Sequence, residues 1–97
     1  MSSTQLTDSS TIMAKESVLS TTIDGETVVL EPDRGQYYGL NDVGTYVWKL
    51  LEEPHTIGGI CEKVTETYDV EYQRCKDDVT KMFLQMDEKG LINIEEI

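Results

Sequence analysis

Residues 17–41, SVLSTTIDGETVVLEPDRGQYYGLN, decide the fold. Ser17–Ile23 is rich in β-branched residues, which suit a pleated strand. Asp24-Gly25 follows, and both residues tolerate the positive φ of a two-residue hairpin turn. Glu26–Glu31 then reads as a second strand. Pro32-Asp33-Arg34-Gly35 is turn chemistry, since Pro presets φ and Gly accepts the left-handed position. Gln36–Asn41 reads as a third strand. Two hairpins in succession make an antiparallel meander, which must cover one face with helices and leaves its edges open.

Beyond Asn41 the hydrophobic period changes from that of a strand to that of a helix. Asn41 or Asp42 is a suitable N-cap. Val43, Val47, Leu50 and Leu51 share a face, and Glu53-Pro54 ends the segment. Thr56 caps a second helix with Ile57, Ile60, Cys61, Val64 and Tyr68 on one side. Gly58 and Gly59 read as a weak first turn. A third helix spans about Tyr72–Lys89, with Cys75, Val79, Met82, Phe83 and Met86 as its apolar stripe. Gly90 stands where a left-handed cap belongs. Leu91–Ile94 reads as a short extended tail, able to pack on the core or to add to the sheet.

Upstream, residues 1–14 are rich in Ser and Thr without periodicity and read as a disordered or loosely attached tail. The predicted organisation is thus a tail over 1–14 and one α+β domain over 15–97. Its architecture is winged helix-turn-helix-like: a three-stranded antiparallel sheet followed by three helices, in the order βββααα, the last two helices forming the helix-turn-helix pair.

Composition limits the function. The 97 residues suffice for one domain. Their 38% hydrophobic and 28% charged content is that of a globular chain. No apolar run spans a bilayer, and the N-terminus lacks the pattern of a secretory signal, so a cytoplasmic location with reduced thiols is expected. With 19 acidic against 8 basic residues the net charge is −11, which disfavours nucleic acid and anionic membranes as partners. On the third helix Arg74, Lys76, Lys81 and Lys89 are matched by Asp77, Asp78, Asp87 and Glu88, so there is no basic stripe for a DNA backbone. A winged-helix transcription regulator is therefore a weak alternative.

The catalytic inventory is thin. His55, Cys61 and Cys75 form no metal-binding spacing, and no metal or other cofactor is expected. Cys75 is the better nucleophile candidate, because Arg74 and Lys76 could lower its pKa, but an apolar helix face is the ordinary place of a packed thiol. A binding module, not an enzyme, is the expectation. An exposed third strand offers its backbone to an extended peptide, with Tyr37 and Gly39 on one side and Tyr38 and Leu40 on the other. Gly39 permits close approach, and the third helix can wall the groove.

The run from Tyr37 to Ile92, YYGLNDVGTYVWKLLEEPHTIGGICEKVTETYDVEYQRCKDDVTKMFLQMDEKGLI, resembles the PqqD-like family of leader-peptide recognition domains. The resemblance lies in the Tyr-rich strand ending in Leu40-Asn41, the Trp48 helix with Leu50-Leu51, the Thr56 cap, Tyr68-Asp69-Val70, Asp78-Val79 and Gly90-Leu91-Ile92. It covers roughly residues 15–94. Within the family, Glu53-Pro54 and the segment Val70–Cys75 look most like the stand-alone B1 proteins of lasso-peptide biosynthesis. The resemblance implies a recognition element that binds the leader of a ribosomally made precursor as an added strand on the third strand. It implies delivery to a separate leader protease of the B2 type, and then to a macrolactam cyclase. The PqqD-type chaperone of a radical enzyme in quinone-cofactor synthesis is the alternative.

Carried over residue by residue, Tyr37, Tyr38, Gly39 and Leu40 become backbone-pairing positions. Cys75, Asp78, Lys81, Met82 and Gln85 become the peptide-facing side of the third helix. A pocket between Leu30, Tyr38 or Leu40 and Val79 or Met82 is expected to take an apolar leader side chain.

Overall fold

The computed structural model describes residues 6–95. Its elements are β1 (Thr11–Ala14), β2 (Leu19–Ile23), β3 (Glu26–Glu31), β4 (Gln36–Leu40), α1 (Asp42–Leu50), β5 (His55–Thr56), α2 (Ile57–Thr67), α3 (Tyr72–Glu88) and β6 (Ile92–Glu95). The expected meander is the antiparallel sheet β2-β3-β4, and the class is α+β with the sheet ahead of the helices. Asp24 and Gly25 turn the first hairpin at φ 54° and 83°, as the Asp-Gly signal requires. Glu31 is buried and holds the second turn, its carboxylate accepting from the N–H groups of Asp33 and Arg34 at 3.2 and 2.7 Å.

Asn41 is the N-cap of α1, its side chain accepting from the Gly44 N–H at 2.9 Å. Thr56 caps α2 in the same way through the Gly59 N–H at 3.0 Å. Phe83 and Met86 on α3, Ile57 and Ile60 on α2, and Val47 and Leu51 from the first helical segment are fully buried in one core. The inner face of the meander adds Val29 and Leu40.

The expectation of a loose tail through Ala14 is overturned for residues 6–14; residues 1–5 lie outside the described residues. Ser10 and Ile12 are fully buried. β1 is the central strand of a second antiparallel sheet, β5-β1-β6, with Ile12 opposite both His55 and Ile94. The segment is held for a physical reason. The first N–H groups of a helix lack partners within it, and here Ile57 N and Gly58 N donate to the carbonyls of Ser10 and Asp8, each at 3.0 Å. Gly58 is thus a point of close approach rather than merely a weak turn: a Cβ there would stand 3.3 Å from the Asp8 carbonyl oxygen. Asp8 also meets α3, accepting from Tyr72 OH at 3.2 Å and pairing with Lys76 Nζ at 2.6 Å. The extended C-terminal segment joins β1 and not the meander.

Candidate functional site

In the sheet order β2-β3-β4 the last strand pairs, among the described residues, on one side only. Its register sets Leu30 opposite Tyr37, Val29 opposite Tyr38 and Val28 opposite Gly39. Cross-strand partners share a face, so Tyr38 and Leu40 point inward with Val29, and Tyr37 points outward with Leu30. The free edge of β4 borders a groove of about 690 Å³. Its apolar lining comes from Tyr38 and Leu40 on β4, Val43 and Val47 on α1, Val64 on α2 with Tyr68 and Val70 just after it, and Cys75, Val79 and Met82 on α3. Asp69 and Asp78 supply acidic groups at the same groove.

Two contacts fix α3 against the meander. Tyr38 OH donates to Gln85 Oε1 at 2.7 Å. Arg34, in the turn before β4, donates from Nη2 to the Glu88 carbonyl at 3.2 Å, a cation at the carbonyl end of the helix. Gly90, at φ 76°, ends the helix beside that guanidinium, and a Cβ there would stand 2.6 Å from Arg34 Nη1.

Of the residues singled out from the sequence, Tyr38, Gly39, Leu40, Cys75, Asp78, Val79 and Met82 line this groove. Gln85 lies beyond the lining and reaches it through Tyr38. Lys81 is exposed on α3 and outside the lining. Tyr37 is exposed and contributes only backbone to the edge. The expected pocket containing Leu30 is corrected, because its pairing with Tyr37 places Leu30 on the opposite face of the sheet. Sequence reasoning missed the wall built by Asn41, Val43, Gly44 and Val47, and the contribution of Val64, Tyr68, Asp69 and Val70. The signal was present: a helix capped by Asn41, directly after Leu40, must start at the end of β4.

The chemistry of the groove is not that of an activated nucleophile. Burial pushes the Cys75 thiol up; the hydrogen bond with Cys61 opposes this and Asp78 adds to it. The neighbouring cations are engaged elsewhere, Arg74 with Asp78 at 3.9 Å and Lys76 with Asp8. Burial, then the charge of Cys75, pushes Cys61 up to about 12. Both thiols are therefore protonated at neutral pH. Among the described residues, no group of three or more His, Cys, Asp or Glu side chains is placed to hold a metal ion. No described helix is long and apolar enough to cross a membrane.

The domain thus combines a strand edge with a helix-walled apolar groove beside it. The family model for coenzyme PQQ synthesis protein D (PqqD) matches residues 26–92, and the chain belongs to this family. Among solved structures it is similar to TbiB1 in complex with the TbiA(beta) leader peptide. That match has 30% identity and a TM-score of 0.76, covering 84% of this chain and 94% of that one. It is also similar in fold to a lasso peptide synthetase B1 complexed with the leader peptide, at 21% identity and a TM-score of 0.73, over 84% of this chain and 96% of that one. No curated protein matches.

Proposed function

We propose that this chain is a non-catalytic recognition module for the leader of a ribosomally synthesised precursor, of the lasso-peptide kind. The leader adds to β4 as an antiparallel strand, and its inward side chains enter the groove against α3. The observation that carries this reading is the free edge of β4 running beside the groove lined by Leu40, Val79 and Met82. Support comes from the similarity, at 30% identity, to a B1 protein solved with its leader bound. Main-chain hydrogen bonds supply sequence-tolerant affinity, and the apolar pocket supplies selection. The raised thiol pKa values fit a carrier whose chemistry is done by others. The module then presents the bound precursor to a separate leader protease and to a macrolactam cyclase.

The second reading is a PqqD-type chaperone serving a radical enzyme in quinone-cofactor synthesis, favoured by the description of the matching family. One experiment separates the two. A fluorescein-labelled lasso leader and a labelled quinone-cofactor precursor are each titrated with the protein by anisotropy. Saturable binding of the lasso leader alone supports the first reading. Binding of the quinone precursor alone moves the function to the second, and binding of neither contradicts both.

A further inference from the structure

The meander has a second face, turned away from the core. Tyr37 lies on it opposite Leu30, which in turn stands opposite Leu19. Gly39 lies on the same face, opposite Val28. Tyr37 is 68% exposed and Val28 46%. A Cβ built on Gly39 meets nothing within 4 Å, so the face has an open notch there, which Val28 across the ladder does not fill. A glycine inside a strand weakens it and often marks the close approach of another chain. β4 also carries no charged residue and no Pro, the usual guards of a free edge.

We propose that Tyr37 and Gly39 read the leader on this outer face. Opposite Gly39 the added strand carries a large apolar side chain, aromatic by preference, that covers the notch and packs on Tyr37 and Val28. The inference rests on the leader reading above and deepens it. Backbone pairing selects the occupant, because a strand added to β4 sends alternate side chains to the groove and to the outer face. The residue opposite Gly39 stands about 5 Å away across the new ladder, and Tyr37 is its diagonal neighbour, within reach of an aromatic ring. Gly39 puts no side chain of its own into that space. A short or charged leader residue there would leave the Tyr37 ring in water, whereas a large apolar one buries both. The leader residues on either side of it face inward, toward Leu40 and Met82. The recognised segment is therefore apolar at consecutive positions, and does not alternate with polar residues as a strand read on one face does.

The test scans the leader against two variants. Tyr37→Thr removes the ring from an exposed position and keeps a strand-forming residue. Met82→Ala marks the groove face. The probe is the fluorescein-labelled leader encoded beside this chain, with each residue of its paired segment replaced by Ser in turn, and anisotropy reads the affinity. Tyr37→Thr is expected to weaken binding of the unaltered leader about three- to tenfold, with the urea midpoint unchanged. Double-mutant coupling to Tyr37 is expected at one apolar leader residue and coupling to Met82 at another, an odd number of positions away, since successive side chains take opposite faces. Unaltered affinity in Tyr37→Thr overturns the proposal and leaves the outer row to a different partner, a second copy included. So does a loss that persists whichever leader residue is replaced, because Tyr37 then acts through the fold. An even separation of the two coupled residues overturns it too, because both side chains then share the groove face. Failure of the unaltered protein to bind the leader overturns the leader reading itself, and shows in the first titration, before any variant is compared.

Discussion

The hydroxyl of Tyr38 on β4 donates to Oε1 of Gln85 on α3 at 2.7 Å, tying the groove's strand to its facing helix. A neutral, solvent-accessible hydrogen bond of this kind contributes about 0.5–1 kcal/mol net. Tyr38→Phe and Gln85→Ala should each lower stability by about that amount, and the double variant should lose little more than either single one. Urea denaturation of the three variants checks this. Full additivity would show that the two side chains do not act as a pair.

Met82 is only partly buried in the free chain and lines the groove, whereas Val79 on the same helix is nearly inaccessible. Met82→Ala should therefore leave the melting temperature nearly unchanged and weaken leader binding. Burial of the missing side-chain atoms is worth about 1–2 kcal/mol, or roughly 5- to 30-fold in affinity. Anisotropy titration reads the loss; unaltered affinity would remove Met82 from the peptide site.

The attachment of the N-terminal segment to α3 should depend on pH. The hydrogen bond and charge of Lys76 hold the Asp8 carboxyl below its ordinary 3.8, and Asp8 holds Lys76 above its ordinary 10.5. The carboxylate contribution is present above 3.8 and lost as pH falls through the lowered Asp8 value. The ammonium contribution is present below 10.5 and lost as pH rises through the raised Lys76 value. The stability difference between the unaltered protein and Asp8→Asn should thus be largest between these limits and shrink beyond either. Asp8 is exposed and Lys76 only half-buried, so high salt should reduce it. A difference independent of pH and salt would contradict the ion pair.

The two thiols should resist alkylation. Burial raises both, Cys61 to about 12, so iodoacetamide at pH 8 should modify neither until the chain unfolds. Intact mass against time, with and without urea, measures this. Rapid modification of Cys75 in the folded protein would return it to consideration as a nucleophile.

Much of this fold was legible because its signals are local. Asp24-Gly25, Asn41, Thr56 and Gly90 each state a backbone requirement in one or two residues, and each turn or cap stands where its chemistry put it. β1 was not legible, because its evidence is nonlocal. Its one fully buried apolar side chain, Ile12, is held between His55 and Ile94, partners that only the folded chain brings near. The groove was half legible. The inward residues of β4 and the Asp78–Met82 side of α3 follow from strand alternation and helical period. Leu30 was misassigned although its turn residues carried the answer: once Pro32–Gly35 sets Leu30 opposite Tyr37, it cannot share a face with Tyr38. The α1 wall was overlooked because Val43 and Val47 read as core, and one helix face can serve core and groove together.

The central claim is strand addition at β4, and backbone amide shifts measured during titration with the leader test it most directly. The account predicts large shifts for Gln36–Leu40 and for the Cys75–Met82 side of α3, with slowed hydrogen exchange at the β4 amides that face the free edge. Shifts confined to the β5-β1-β6 sheet, or leader binding with no change in exchange along β4, would contradict it.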